Sequence, residues 1–294
     1  MLLLAALGAP CSAQVPATAP ATASGQRLHF VEGKDWAPLP YESAHGEILF
    51  AAVIDDRPVT ILLDNGTERT VIDRDFLRRA GIAVTQSPAR AKTSGGDSLA
   101  TGVTGRDLTL AAAKAFTLTG TFATIDLQPI SIALGRRVDA ILGADVLDHF
   151  AIMVQPQTKQ LSLAPSGSIK ASAGSVVLPL QPGGTVVAQI DGQPAVLKVD
   201  YGFSGVVRLT DTRWRALFPE GGGEISTQTG ANGVERQTNA RRATLALGRL
   251  TAREVPVENG YRTDRPVDGL VGNGLLGRVT SVLDMQRATL ILVP

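Results

Sequence analysis

One short pattern, an apolar strand that runs into Asp-x-Gly, occurs twice in this chain and limits what it can fold into. The first copy spans Pro58–Gly66 and the second spans Pro194–Gly202. The Pro and the Asp are equally spaced in both copies, so one offset along the chain relates Asp64 to Asp200. We therefore expect two similar halves, each of which presents one carboxylate on a tight turn.

A second pattern, two apolar residues followed by Gly, recurs in the same order. It ends the segments Val138–Gly143 and Val267–Gly272, and it follows the Asp of its own half at a similar distance along the chain. Two ordered pairs with similar spacing indicate an internal duplication. They predict one site in which two carboxylates face each other.

The residues around each Asp predict a β-hairpin. Gly46–Ile54 has the character of a strand, Asp55–Pro58 has turn chemistry, and Val59–Leu63 is the returning strand that ends at the first Asp. In the second half, Val186–Ile190 and Ala195–Val199 repeat the two strands. The chain as a whole is predicted to be all-β with short helices.

A short helix and then a polar hairpin are predicted after each Asp-containing loop. The helices are expected at Asp73–Ala80, with Gly81 as a left-handed cap, and at Thr210–Phe218. The polar, Gly-rich stretches Thr93–Gly105 and Ser226–Gln237 are predicted to be mobile hairpins or loops.

Composition excludes several classes of function. The 294 residues carry 28 Lys and Arg against 27 Asp and Glu, so the chain offers no electrostatic footprint for nucleic acid. With 44% hydrophobic residues the chain can bury proper cores. No apolar run after the N-terminus reaches the ~18 residues that a stable membrane span requires.

Residues 1–25 are predicted to be a signal peptide and a flexible spacer. Met1–Leu7 is apolar, and Cys11–Ala13 offers a small-residue cleavage site. The protein is therefore expected to be exported, either periplasmic or secreted. Cys11 is the only cysteine, so no disulfide is expected in the mature chain.

These residues resemble the pepsin/retropepsin-like aspartic proteases, in their two-lobed single-chain form. Leu62–Ile72 follows the strand and catalytic loop of that family, and Ile141–Leu147 resembles its later turn and short helix. The resemblance extends from about Gly46 to the C-terminus. It implies a bilobal β-barrel architecture, with an N-terminal lobe over residues 26–165 and a C-terminal lobe over 175–294.

The resemblance also implies an activity, the hydrolysis of peptide bonds by a water molecule that two aspartates activate. Asp64 and Asp200 would be the catalytic pair, sharing one proton because two carboxylates this close do not both ionise. Four glycines would contact the substrate, namely Gly66, Gly202, Gly95 and Gly96. The expected partner is a peptide or protein, the protein is expected to be a monomer, and no metal or organic cofactor is implied.

The sequence departs from the family between each Asp and Gly. The family has Thr or Ser there, whose hydroxyl bonds across the two loops, whereas this chain has Asn65 and Tyr201. Asn can still donate and accept a hydrogen bond. Tyr201→Thr is expected to restore the missing bond and raise turnover, unless the Tyr ring fills a core pocket. Phe203 also stands where the family has a small residue, so a catalytically silent peptide-binding or scaffold protein is the alternative.

Three other motifs have simpler interpretations. Gly272–Gly277 matches Gly-x-Gly-x-x-Gly, but too few residues follow it for a dinucleotide fold. Gly202–Gly205 resembles a hydrolase nucleophile elbow, with Val206 where its last Gly belongs. The three histidines show no metal-binding spacing.

Overall fold

The computed structural model describes residues 25–30, 37–92, 98–113, 115–229 and 234–294. The predicted signal peptide and spacer therefore lie almost entirely outside the described residues. Strands account for 54% of the described residues and helices for 11%, which confirms the all-β class with short helices. None of the helices in the described part of the chain is long and apolar enough to cross a membrane.

The first half of the chain contains thirteen described strands and three short helices. In chain order these are β1 Arg27–Phe30, β2 Leu39–Ala44, β3 Glu47–Ile54, β4 Arg57–Leu63, β5 Val71–Asp73, α1 Arg74–Arg79, β6 Val84–Lys92, β7 Ser98–Thr104, β8 Leu108–Ala112, β9 Phe116–Gly120, β10 Ala123–Ile125, α2 Gln128–Leu134, β11 Ala140–Leu142, α3 Ala144–Leu147, β12 Phe150–Gln155 and β13 Gln160–Pro165.

The second half contains ten described strands and two helices. They are β14 Val176–Pro179, β15 Thr185–Ile190, β16 Gln193–Val199, β17 Val207–Thr210, α4 Asp211–Leu217, β18 Glu224–Thr229, β19 Glu235–Leu247, β20 Leu250–Tyr261, β21 Gly269–Val271, α5 Asn273–Leu276, β22 Thr280–Asp284 and β23 Thr289–Val293. Residues 166–174, between the halves, form neither strand nor helix.

The predicted hairpins are present in both halves. In β3–β4 the turn residues Asp55 and Asp56 both have positive φ, 46° and 63°. In β15–β16 the turn residues Asp191 and Gly192 have φ of 46° and 77°. Positive φ at both central residues gives a turn whose twist matches that of the flanking strands. Each hairpin therefore delivers its Asp at the end of the returning strand.

The predicted helices also form, each with a side-chain cap. The backbone N–H of Phe76 donates to Asp73 Oδ2 at 2.9 Å at the start of α1, and Gly81 follows that helix with φ 69°. At the start of α4 the N–H of Arg213 donates to Thr210 Oγ1 at 3.2 Å. Such caps satisfy N–H groups that have no partner inside the helix.

The two halves repeat the same strand pairings. β4 runs parallel to β11, and β11 runs antiparallel to β5. β16 and β21 pair in the same parallel way, and β21 and β17 in the same antiparallel way. The second half closes on itself as a barrel, since β15 pairs with both β16 and β19.

A sheet in the order β14-β23-β22-β12-β13-β2 joins the halves. Its central strands β12 and β22 are antiparallel, and Met153 pairs with Val282. Met153 and Val282 are as far apart along the chain as Gly143 and Gly272, so they are equivalent positions of the two halves. The pairing is therefore symmetric about these two residues. One apolar cluster of buried residues spans both halves.

Hairpins also occupy the predicted polar stretches, β6–β7 in the first half and β18–β19 in the second. Residues 93–97 lie outside the described residues. The predicted substrate contacts Gly95 and Gly96 fall in that segment, so they stay predictions.

Candidate active site

The backbone holds the two Asp-x-Gly loops in equivalent positions. The N–H of Asp64 donates to the carbonyl oxygen of Leu142 at 3.1 Å, and the N–H of Asp200 donates to that of Val271 at 3.0 Å. Each Asp therefore lies at the C-terminal end of β4 or β16, beside the end of the strand that precedes Gly143 or Gly272, β11 or β21.

The two glycines allow the loops to meet. A Cβ atom built on Gly66 would lie 2.5 Å from Asp200 Oδ2, and one built on Gly202 would collide with the Asp64 carboxylate. The contacts are reciprocal, so each glycine makes room for the carboxylate of the other half. The structure thus brings Asp64, Asp200, Gly66 and Gly202 together, and only glycine fits at this close approach.

Asn65 links the loops through both ends of its amide. Its Nδ2 donates to the carbonyl oxygen of Val199 at 2.8 Å, and its Oδ1 accepts from the N–H of Tyr201 at 2.8 Å. Asn65 is 5% exposed, so both bonds are shielded from water. The expectation that Asn could still bond across the loops is confirmed. One side chain here makes a donor and an acceptor contact across the halves.

Tyr201 lies in the core and not against the facing loop. The residue is fully buried, and its hydroxyl lies 2.9 Å from Ser281 Oγ. Asn273 Nδ2 donates to the Tyr201 carbonyl oxygen at 2.6 Å. The Tyr201 ring therefore fills a pocket in the core. For this reason Tyr201→Thr is not expected to raise turnover.

Phe203 makes the two halves unequal. Thr67, at the equivalent position of the first loop, donates to Asp64 Oδ2 from its hydroxyl at 2.6 Å and to Oδ1 from its N–H at 3.0 Å. Phe203 has no hydroxyl, and its ring lies against Gly205 and under the Arg208 guanidinium, 4.5 Å from ring centroid to Cζ. The second loop therefore lacks the hydroxyl group that Thr67 uses in the first loop to donate a hydrogen bond to Asp64.

The two carboxylates consequently sit in different environments. The Asp64 carboxylate accepts three hydrogen bonds, two from Thr67 and one from the N–H of Gly66 at 2.8 Å. Asp200 is 7% exposed and accepts from the N–H of Gly202 at 2.9 Å. Burial, and then the charge of Asp64, raise the pKa of Asp200 to about 6. Desolvation and a like charge both favour the neutral acid.

Glu47 is a third carboxyl group at this site, and sequence reasoning missed it. Gly46 lies against Ser204, and the Ser204 hydroxyl and N–H donate to the Glu47 carboxylate. Burial, followed by the charges of Asp64 and Asp200, raises the pKa of Glu47 to about 8. Its Oε2 is buried and has no hydrogen-bond partner among the described residues.

Arg208 supplies positive charge near these carboxyl groups. Its Nη2 lies 3.4 Å from Glu258 Oε2, and its side chain is 16% exposed. Burial lowers the pKa of Arg208, while the charges of Glu258, Asp200 and Glu47 raise it. Arg208 therefore lowers the cost of burying negative charge around the pair.

Other motifs have structural roles. Gly272, the first residue of the Gly-x-Gly-x-x-Gly match, packs so closely that a Cβ atom would collide with the Phe203 carbonyl oxygen. Gly274 packs on Gly205 and Val206. No group of three or more His, Cys, Asp or Glu in the described ranges is arranged to hold a metal ion.

Comparison with known proteins supports a relationship for the first half. The comparison with curated proteins found no match. Residues 50–146 match the family model described as aspartyl protease, about a third of the chain. The matched segment includes Asp64, Gly66 and Gly143, whereas Asp200 lies outside it. The match supports a relationship of this chain with the aspartic, retropepsin-like proteases.

Proposed function

We propose that the protein is an aspartic-type endopeptidase in which Asp64 and Asp200 activate a water molecule. The observation that carries the proposal is the reciprocal contact of Gly66 with Asp200 and of Gly202 with Asp64. A single Asp at a strand end is usually a turn or cap residue. Here two aspartates face each other, and a glycine of each loop makes room for the carboxylate of the other. The pKa of Asp200 is raised to about 6, as expected for a carboxyl pair that shares a proton.

The unequal surroundings of the two aspartates support a division of roles between them. Asp64, whose carboxylate accepts three hydrogen bonds, acts as the general base, and buried Asp200 holds the shared proton. Asp64 takes a proton from the water as its oxygen attacks the peptide carbonyl carbon, and Asp200 gives its proton to the carbonyl oxygen. A neutral gem-diol results.

Collapse of this intermediate restores both groups. The gem-diol returns a proton to Asp200 as the carbonyl re-forms, and Asp64 gives its proton to the amide nitrogen as the C–N bond breaks. The products are a carboxyl group and an amine, and one water molecule is consumed. Each Asp ends in its starting protonation state, so the pair is ready for another turnover.

We further propose that the chain is a duplicated, two-lobed form of the retropepsin-like fold. The repeated strand pairings support this, and so does the equal separation along the chain of the Met153–Val282 and Gly143–Gly272 pairs. Asp139 and Asp268 add a matching detail. Each accepts from a backbone N–H of the strand that leads to the catalytic Asp, Thr60 at 3.0 Å and Val196 at 2.9 Å.

Export of the protein also stays a proposal. It rests on the apolar segment Met1–Leu7 and the small residues Cys11–Ala13. N-terminal sequencing of the protein recovered outside the producing cells should give a start close to Gln14. Recovery only inside the cells, with Met1 intact, would contradict export.

Digestion of a peptide library between pH 3 and 8 tests the proposed activity. Wild type should cleave internal peptide bonds, and Asp64→Asn and Asp200→Asn should each abolish cleavage while the fold is retained. Asp107→Asn, at an exposed aspartate, is the matched control and should cleave like wild type. Full activity in either active-site variant would remove that residue from the mechanism.

A further inference from the structure

A cavity of about 540 Å³ opens beside the loop that carries Asp64. Both halves contribute to its wall, the first with Asn65 and Gly66 and the second with Gly183 and Lys198. Gly66 also lies against the Asp200 carboxylate, so one residue of the cavity wall touches the carboxyl pair. It is large enough for an amino-acid side chain and part of its backbone.

The cavity exists because the two sides of the carboxyl pair differ. On one side Glu47 receives hydrogen bonds from Ser204, and Gly46 lies against Ser204. At the offset that relates Asp64 to Asp200, the equivalent residues on the other side are Gly183 and Glu68. A Cβ atom on Gly183 would meet nothing within 4 Å. The contact of Glu47 and Gly46 with Ser204, which fills the space on one side of the carboxyl pair, therefore has no counterpart at Gly183 on the other side.

Lys198 gives the cavity its distinctive chemistry. The equivalent residue of the first half is Leu62, which is 5% exposed and packs in an apolar cluster with Val71 and Ile141. Lys198 is only half-buried, and its Nζ lies 3.4 Å from the carbonyl oxygen of Gly66. No carboxylate among the described residues lies within ion-pair distance of it, and its charge lowers the pKa of Asp148 and of Asp200.

The side chains around Lys198 carry charges of both signs. Glu68 and Arg265 pair with each other at 2.5 Å. Burial raises the pKa of Asp145 and of Asp148, while hydrogen bonds from Thr70 lower that of Asp145 and the charge of Lys198 lowers that of Asp148. Arg69, an exposed side chain at the wall, and His149 complete the charged and titratable lining.

We propose that this cavity is a substrate subsite that selects an acidic side chain next to the scissile bond, with Lys198 as the specificity-determining residue. The proposal rests on the proposed peptidase function. An Asp or Glu side chain of the substrate would replace water around the Lys198 ammonium and form a charge-assisted hydrogen bond. The equivalent residue of the first half, Leu62, is buried and uncharged and offers no such partner.

Cleavage of a peptide series tests the selection. Each peptide carries Asp, Asn, Leu or Lys at one position near the cut site, and kcat/KM is compared within each protein. Wild type should prefer Asp to Asn by roughly tenfold at one position, the usual effect of one charge-assisted bond. Lys198→Leu, which copies the residue of the other half, should bring that ratio close to one, and Lys198→Glu should favour Lys.

Controls and a binding measurement separate the possible failures. Lys170→Leu removes an exposed lysine that does not line the cavity and should keep the wild-type ratio. Fluorescent peptides of the same series are also titrated onto Asp64→Asn with and without Lys198→Leu. Charge-selective binding without any cleavage would contradict the peptidase function and support the subsite. Cleavage or binding without a charge preference, or with one that survives Lys198→Leu, would overturn the subsite, as would no binding at all.

Discussion

The buried third carboxyl group gives the sharpest prediction about stability. Glu47 has a pKa raised from its ordinary 4.5 to about 8, mainly by burial. Between these two pH values the folded chain keeps a proton that the unfolded chain has lost. Stability therefore falls as the pH rises through this window, and the contribution of the neutral carboxyl is fully present only below 4.5.

The size of the effect follows from the same two values. Each pH unit is worth about 1.36 kcal/mol, so a window of about 3.5 units gives roughly 5 kcal/mol. Glu47→Gln keeps the shape and the Ser204 contact but has no proton to lose. The free energy of unfolding of Glu47→Gln relative to wild type should therefore rise by roughly that amount between pH 4.5 and 8.

Urea melts of wild type and Glu47→Gln at half-unit steps from pH 4.5 to 9 measure this difference. Asp200 titrates in both proteins, so its contribution largely cancels in the comparison. Glu220→Gln, at an exposed glutamate, is the control, and its curve should parallel that of wild type. Parallel curves for wild type and Glu47→Gln would refute the buried, neutral carboxyl at the site.

Three further outcomes follow from the contacts of the two loops. Tyr201→Thr should lower the free energy of unfolding in urea melts by about 3–5 kcal/mol, because it opens a cavity, and it should not raise turnover. Asn65→Ala should cost about 2–4 kcal/mol in the same melts, since it leaves the Val199 carbonyl and the Tyr201 N–H unpaired in a buried place. The kcat/KM of peptide cleavage should fall as the pH rises through about 6, where Asp200 loses its proton, and a rate that keeps rising to pH 8 would contradict the role of Asp200 as the acid.

The sequence predicted the hairpins and helices around the two aspartates well, because they depend on residues that are close together along the chain. The turn at Asp55 and Asp56 and the caps at Asp73 and Thr210 are set by residues within a few positions. Their repetition in the second half made the prediction of two facing loops possible.

The sequence could not predict contacts between distant segments. Glu47 acquires its environment from Ser204 in the other half, and a Glu at the start of a strand carries no signal of that. The direction of the Tyr201 side chain depends on a space in the core beside Ser281. The amide of Asn65 makes both of its bonds only because two loops from different halves meet at that point.

The central claim is that Asp64 and Asp200 form one pair that shares a proton, and an NMR titration tests it most directly. The side-chain carboxyl carbons of ¹³C-labelled aspartates are followed from pH 3 to 8 in wild type and in Asp64→Asn. Asp200 should titrate near pH 6 in wild type, and at a lower pH in Asp64→Asn because a neighbouring negative charge is removed. A titration of Asp200 near its ordinary 3.8, or one that Asp64→Asn leaves unchanged, would contradict the pair.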